Sequence, residues 1–266
     1  MADSWRRAGA RWIDAFLPVA CVVCARPIRA TAPMRPPAFC GGCERALPWW
    51  RRADGCPRCG ERNVSASGCA RCVSAASALQ ASHVAFRYAG PIARWIPAIK
   101  RREGRPVASL SRAIDALADG LARRIAREAR GRIDVVVPLP LHPERLRARG
   151  FNQTEGLARR VARELDRPYR TDLLERVRAT RPQAALRGDA RRENVRGAFR
   201  GPGPIAGNLR IALVDDVLTT GATLEAAASA LLEAGAFEVR GVALAATLPA
   251  SRPRGPHGTP GRRAGT

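Results

Sequence analysis

Residues 211–224, IALVDDVLTTGATL, read as a buried strand, an acidic pair, a hydroxyl-rich loop and the first turn of a helix. In the run 210–214 (RIALV) every residue after Arg210 is aliphatic, the pattern of a parallel strand covered on both faces. Asp215 and Asp216 follow at its carboxyl end, where open α/β sheets gather ligands. Thr219, Thr220, Gly221, Ala222 and Thr223 then lead into an Ala-rich helix expected over 223–234 and closed by Gly235. Hydroxyls and backbone N–H groups at a helix N-terminus form a nest for phosphate. Gly221 lets the chain turn tightly around such an anion. The adjacent carboxylates suit the acceptance of hydrogen bonds from two ribose hydroxyls. An Asx turn with an ordinary helix cap is the plainer alternative for the same residues.

The flanking chain extends the pattern. The run 239–246 (VRGVALAA) reads as the next strand, so strand, helix and strand form a βαβ unit, right-handed by default. Upstream, Ile114, Leu117, Ala118, Leu121 and Ile125 have helical spacing within 111–130, and Gly131 ends that helix. A continuous apolar strand follows at 133–137 (IDVVV), and a further helix ends at Leu165 after a start near Asn152 or Thr154. The predicted architecture over 77–249 is α/β, a parallel sheet with helices on both faces. The tail 250–266, rich in Gly, Pro and Arg, predicts disorder.

The chain has 266 residues, room for one α/β domain and a smaller appendage. With 46% hydrophobic and 26% charged residues it can bury a core. Lys and Arg number 46 against 23 Asp and Glu, a net charge of +23, and almost every basic residue is Arg. Such a surplus attracts polyanions, phosphorylated metabolites and nucleic acid alike, unless the scattered arginines are compositional. No run reaches the ~20 apolar residues of a membrane span. The short apolar patch at 11–23 is interrupted by Asp14 and Pro18 and runs into Cys21, so neither a signal peptide nor membrane insertion is expected. A cytoplasmic location follows, in which thiols stay reduced and paired cysteines hold metal.

All eight cysteines fall in four C-x-x-C pairs: Cys21/Cys24, Cys40/Cys43, Cys56/Cys59 and Cys69/Cys72. Two such knuckles complete one tetrahedral four-thiolate zinc site. Fifteen residues separate Cys24 from Cys40 and nine separate Cys59 from Cys69, enough for a short hairpin in each case. Residues 1–76 are therefore predicted to form a double zinc ribbon with an N-terminal helix, holding two structural Zn2+. Sequential pairing needs no chain crossing and is preferred over an interleaved cross-brace, with disulfides of a secreted module as the alternative. Trp49, Trp50, Arg51 and Arg52 lie between the two sites. Packing of the indoles on the next domain is favoured over stacking on nucleic-acid bases.

The segment VDDVLTTGAT resembles the phosphoribosyl pyrophosphate (PRPP) motif of type I phosphoribosyltransferases. Further upstream, VPLPLHPERLRARGFNQTEGLA (137–158) and TRPQAALRGDARRENVRGAF (180–199) are similar to the ComF family of competence-associated, amidophosphoribosyltransferase-like proteins. Its double-zinc-ribbon members also begin with C-x-x-C pairs, so the likeness covers roughly 21–248. The resemblance implies a type I phosphoribosyltransferase fold behind a zinc ribbon, with a link to DNA uptake or to an unassigned metabolic step. It assigns Asp215 and Asp216 to the ribose and Thr219, Thr220, Gly221, Ala222 and Thr223 to the 5-phosphate. The turn 137–141, with Pro138 and Leu139, falls where such enzymes place a pyrophosphate loop. Arg149, Asn152 and Gln153 match an RGFNQ motif, and Gln183, Arg191, Asn194 and Phe199 match a second motif that forms a flap candidate. Arginines there would neutralise the pyrophosphate leaving group, and Mg2+ would bridge PRPP oxygens. Simpler roles are a helix start for RGFNQ and a packed flap for 183–199.

One departure narrows the expectation. Purine salvage enzymes carry an aspartate in the phosphate loop where this chain has Thr219, so purine salvage is disfavoured. No glutamine-amidotransferase half is visible, because Cys21 belongs to a metal knuckle. Three functions follow: transfer of a phosphoribosyl group to an acceptor the sequence does not name, PRPP sensing without turnover, and a non-catalytic adaptor for single-stranded DNA and DNA-uptake proteins.

Overall fold

The computed structural model describes residues 19–28, 37–60, 64–65, 68–69, 72, 77–100, 108–180, 189–205 and 207–247. Gln183, the side chain of Arg191, the expected N-terminal helix and the tail 250–266 lie outside the described residues. In chain order the second half contains β1 (Ala81–Arg87), α1 (Gly90–Lys100), α2 (Ala108–Ala129), β2 (Val135–Pro138), α3 (Pro143–Arg149) and α4 (Gln153–Leu165). After these come α5 (Asp189–Val195), β3 (Arg210–Leu218), α6 (Ala222–Glu233) and β4 (Glu238–Ala246).

The four strands form one parallel sheet in the order β1, β4, β3, β2. Successive side chains of a strand point to opposite faces, and the packing follows that rule. Val136, Ala212, Val214, Val242 and Leu244 join Leu117, Leu121 and Ile125 of α2 and Leu157, Val161 and Leu165 of α4 in one core. Val135, Val137, Ile211, Leu213, Val239 and Ala243 join Leu224, Ala227, Ala228 and Leu231 of α6 in the other. Strands buried on both faces in this way account for the unbroken aliphatic runs in the sequence.

Two boundaries depart most from the sequence expectation. Helix α2 begins at Ala108 and passes into a 3-10 turn, Arg130–Arg132. Strand β3 does not stop at Val214 but continues through the acid pair to Leu218. β4 stays paired with it as far as Ala246↔Leu218, whereas β2 leaves at Pro138↔Val214. Pro138 and Pro140 lack the N–H donors that would prolong the β2 ladder. The acid pair thus lies on a strand whose β2 side has opened.

Strand β1 is a sheet edge, and the cysteine-rich half covers it. Trp50 N–H donates to Ala85 O (2.9 Å), Arg87 N–H to Pro48 O (2.7 Å) and Ser82 N–H to Pro57 O (2.6 Å), and Trp49 bridges Phe86 in antiparallel sense. Covering an edge in this way removes a template for aggregation. Asp54 clamps the guanidinium of Arg87 with two 2.7 Å bonds. Both tryptophans pack on the domain: Trp49 tilts against Phe86 with centroids 4.6 Å apart, and Trp50 is buried in the α6-side core.

Candidate functional site

The loop between β3 and α6 joins a buried carboxylate to a helix N-terminus. Asp216 is only 7% exposed, and its Oδ2 accepts from Gln153 Nε2 at 3.3 Å. Gln153 Oε1 accepts in turn from Arg149 at 2.6 Å. Arg149, Gln153 and Asp216 therefore form a relay that spans 67 sequence positions, 149 to 216. Asp215 Oδ1 accepts from the N–H of Asp216 (2.7 Å). Gly221 occupies the N-cap of α6 at φ 73°, a left-handed conformation suited to glycine, and offers no capping side chain. Thr220 Oγ1 accepts from the N–H of Ala222 at 3.4 Å, and Thr219 and Thr223 complete the turn.

The loop after β2 meets the same site. Leu139 N–H donates to Val214 O (2.8 Å), while Leu139 O accepts from Asn152 Nδ2 (3.1 Å) and from Thr154 Oγ1 (2.9 Å). Asn152 is also the N-cap of α4, its Oδ1 accepting from the N–H of Thr154 at 3.2 Å. RGFNQ thus starts a helix and, with the same residues, ties the Pro138–Leu139 turn and the acid pair together. Pro138, Leu139, Arg149, Asn152, Gln153, Asp215 and Asp216 converge on the carboxyl ends of β2 and β3.

On the α6 side the structure adds residues that sequence reading passed over. Arg176 is 8% exposed; it donates to Thr180 Oγ1, lies over the Phe199 ring at 5.2 Å, and keeps a buried Nε without a hydrogen-bond partner among the described residues. Burial pushes its guanidinium below the ordinary arginine range, Arg145 and Arg178 add to this, and the Asp215 carboxylate opposes it. Arg145 also donates to Thr180 O (2.6 Å), and Arg178 to Asn194 O (3.2 Å). The signal available in sequence was the R-V-R-A-T run immediately before the second motif. Asn194 sits on α5, which packs on α6; Arg191 is on the same helix.

The cysteines form two groups, Cys21/Cys24/Cys40/Cys43 and Cys56/Cys59/Cys69/Cys72, each with its Sγ atoms within 4.8 Å of one another. The pairing is sequential, not interleaved. Four sulfurs at this spacing suit a tetrahedral structural zinc. In the first group, burial raises the Cys21 thiol, but N–H groups of Cys24, Cys40 and Val23 outweigh it and bring it down to about 6. Cys43, facing the sulfurs of Cys24 and Cys40, is pushed up to about 12. In the second, burial of Cys56 is outweighed by N–H groups of Cys59, Cys69 and Arg58, giving about 7, while burial and Cys59 push Cys72 up. Backbone N–H groups favour the thiolate at Cys21 and Cys40 in the first group and at Cys56 in the second, and the crowding that resists further ionisation is what a divalent cation relieves.

No family model matches the chain. It is 33% identical to DNA utilization protein YhgH of Salmonella typhimurium over 214 residues, 79% of this chain and 91% of that protein. It is 39% identical to competence protein ComFC of Bacillus subtilis over 101 residues, 38% of this chain and 39% of that one. A purine phosphoribosyltransferase structure from Pyrococcus horikoshii aligns at TM-score 0.31 and 23% identity, covering 50% of this chain and 72% of the other. No described helix is long and apolar enough to cross a membrane. With its paired four-cysteine groups, its parallel α/β sheet and relatives of this extent, the chain belongs to the ComF family.

Proposed function

We propose that the pocket between β2, β3 and α6 binds PRPP and that the chain transfers its phosphoribosyl group to an acceptor, with loss of pyrophosphate. The observation that carries this reading is the Arg149–Gln153–Asp216 relay, which holds a buried carboxylate beside a phosphate-type loop. Asp215 and Asp216 accept from the ribose hydroxyls. Thr219, Thr220, Gly221, Ala222 and Thr223 surround the 5-phosphate at the positive end of the α6 dipole. The Pro138–Leu139 turn and the flap with Gln183, Arg191 and Asn194 meet the pyrophosphate. Mg2+ enters with PRPP, held mainly by phosphate oxygens. Such a reaction is glycosyl transfer in nucleoside metabolism. Thr219 speaks against purine as the acceptor.

Isothermal titration with Mg·PRPP tests the site. Wild type binds, and the Asp215→Asn/Asp216→Asn double variant does not. A wild type that takes up no PRPP overturns the reading. Turnover is tested by screening acceptors for pyrophosphate release, and silence with every acceptor leaves PRPP sensing as the function of the site.

The names of the relatives, DNA utilization and competence proteins, favour a second reading: an adaptor for single-stranded DNA and DNA-uptake proteins that uses the ribbon and the chain's net charge of +23. It predicts DNA binding that weakens steeply with salt and survives the double aspartate change. Negligible polyanion affinity at moderate salt removes its DNA arm.

A further inference from the structure

We propose that the second four-cysteine site is a working wall of the phosphate pocket: metal held by Cys56, Cys59, Cys69 and Cys72 fixes the conformation of the loop from Leu218 to Thr223. For its ligand this rests on the PRPP reading; for the loop it does not.

Two left-handed glycines face each other's segments across the seam between ribbon and sheet. Gly60, next to Cys59, has φ 73°, and a Cβ there would lie 2.5 Å from Leu218 Cδ2. Gly221, also at φ 73°, would place a Cβ 3.0 Å from Cys59 O and 3.4 Å from Cys59 Cβ. The knuckle backbone is therefore in direct contact with both ends of the TTG turn. Its own fold is the C-x-x-C turn, closed by Gly60 N–H on Cys56 O at 2.8 Å. The chain leaving this cysteine block returns to the same place. Glu225, in the first turn of α6, accepts from Ala78 N–H (2.6 Å) and from Ser77 Oγ (3.0 Å). The loop-to-helix junction is gripped from both sides by residues that flank one metal site.

What holds the knuckle rigid is the metal. Cys56, Cys59, Cys69 and Cys72 form a buried cluster of their own, joined by no other buried apolar residue among those described. A unit whose core is four sulfurs takes its folding energy from the bound ion. All four are buried, so the ion is shielded, and the position of the Cys59 carbonyl follows from the coordination geometry. When that geometry is lost, Leu218 and Gly221 lose the surface they pack on, and the N–H groups at the start of α6 lose their register toward a phosphate.

The test uses the full chain and reads the loop itself. Zinc is withdrawn from wild type with a graded chelator while bound zinc and hydrogen exchange of residues 218–225 are followed. Exchange there rises with loss of the second-site ion, while residues 135–138 stay protected. A loop equally protected in the zinc-free chain overturns the proposal. Gly60→Ala keeps every cysteine and adds an independent arm: zinc content unchanged, exchange at 218–225 raised, Mg·PRPP affinity lowered roughly tenfold or more, since an ångström of misplacement costs about that and beyond. Gly42→Ala beside the first site, where nothing lies within 4 Å of the added Cβ, changes neither. Gly60→Ala with wild-type loop exchange and affinity also overturns it. Should wild type bind no PRPP, the exchange data still decide the coupling, and the PRPP reading falls alone.

Discussion

The two four-cysteine sites share a motif and differ in attachment. In the first, Cys21 is buried, Cys40 and Cys43 are half-buried and Cys24 is exposed; in the second all four are buried. The first is fastened by side chains from between and beside its knuckles. Phe39 stacks on Trp95 of α1 with centroids 5.7 Å apart, and Ala38 and Leu47 enter the α2-side core. No apolar side chain of the second site's described knuckle residues enters either core, and the knuckle is fastened chiefly through its backbone, by Pro57 on β1 and by Cys59 and Gly60 on the β3–α6 loop. Hydrophobic anchoring is tolerant of small movements, because apolar burial is non-directional. Backbone contact at two glycines is not. The first site is thus built to hold the ribbon on the domain and the second to transmit its geometry.

The strongest way to break this distinction is to remove one ligand from each site. Cys59→Ser exposes a buried metal site and is expected to cost above about 4 kcal/mol, in the range reserved for loss of a metal or comparable damage. Cys24→Ser costs less, because Cys24 is exposed and water can occupy the vacated position. Denaturation of both variants at fixed zinc concentration checks the order; equal losses mean the two sites are equivalent supports.

Glycine substitution is finer. Gly60→Ala forces a side chain into a left-handed residue against Leu218 and is expected to cost about 1–3 kcal/mol. Gly42 lies within the one-turn helix Gly41–Arg45 with open space around it, so Gly42→Ala stabilises by up to about 1 kcal/mol. Opposite signs in urea denaturation are the expected result.

The same contrast explains what could be read from sequence. Runs 133–137, 210–214 and 239–246 were legible because strands buried on both faces are mainly aliphatic, here with single charged residues at Asp134, Arg210 and Arg240. Strand β1, ASHVAFR, escaped because its charged and polar side chains pair with partners remote in sequence: His83 Nδ1 with Glu128 at 2.9 Å and Arg87 with Asp54. Helix α1 carries Pro97, which reads as a breaker. The acid pair and the Thr/Gly loop announced themselves because their chemistry is contiguous. The relay from RGFNQ to Asp216 did not, since the two meet only when β2 and β3 pair. Arg176 looks like any other arginine in an Arg-rich chain until the fold buries it beside Asp215. Spacing alone left sequential and interleaved metal pairing open, because both fit the same intervals.

The last contrast concerns the Asp54–Arg87 clamp, which lies between the two sites in sequence and holds the ribbon on the sheet edge. Asp54 is largely buried, and burial raises its carboxyl, but the Arg87 guanidinium, with help from the Arg51 N–H, more than reverses this and holds it below the ordinary aspartate range. A carboxyl depressed on folding stabilises the native state above its unfolded value, about 3.9, and that contribution is lost as pH falls through the lower folded value. The clamp is therefore fully present at neutral pH and fades only below about pH 4. Asp54→Asn removes the charge but keeps the shape, and is expected to cost about 1.5–3 kcal/mol at pH 7, as for hydrogen bonds to charged groups. Because the clamp serves the edge and not the knuckle, the loss appears in global stability, with zinc retained at both sites and loop exchange at 218–225 unchanged. A rise in that exchange would show that the sheet edge, and not Cys59 and Gly60 alone, carries the ribbon's influence to the pocket.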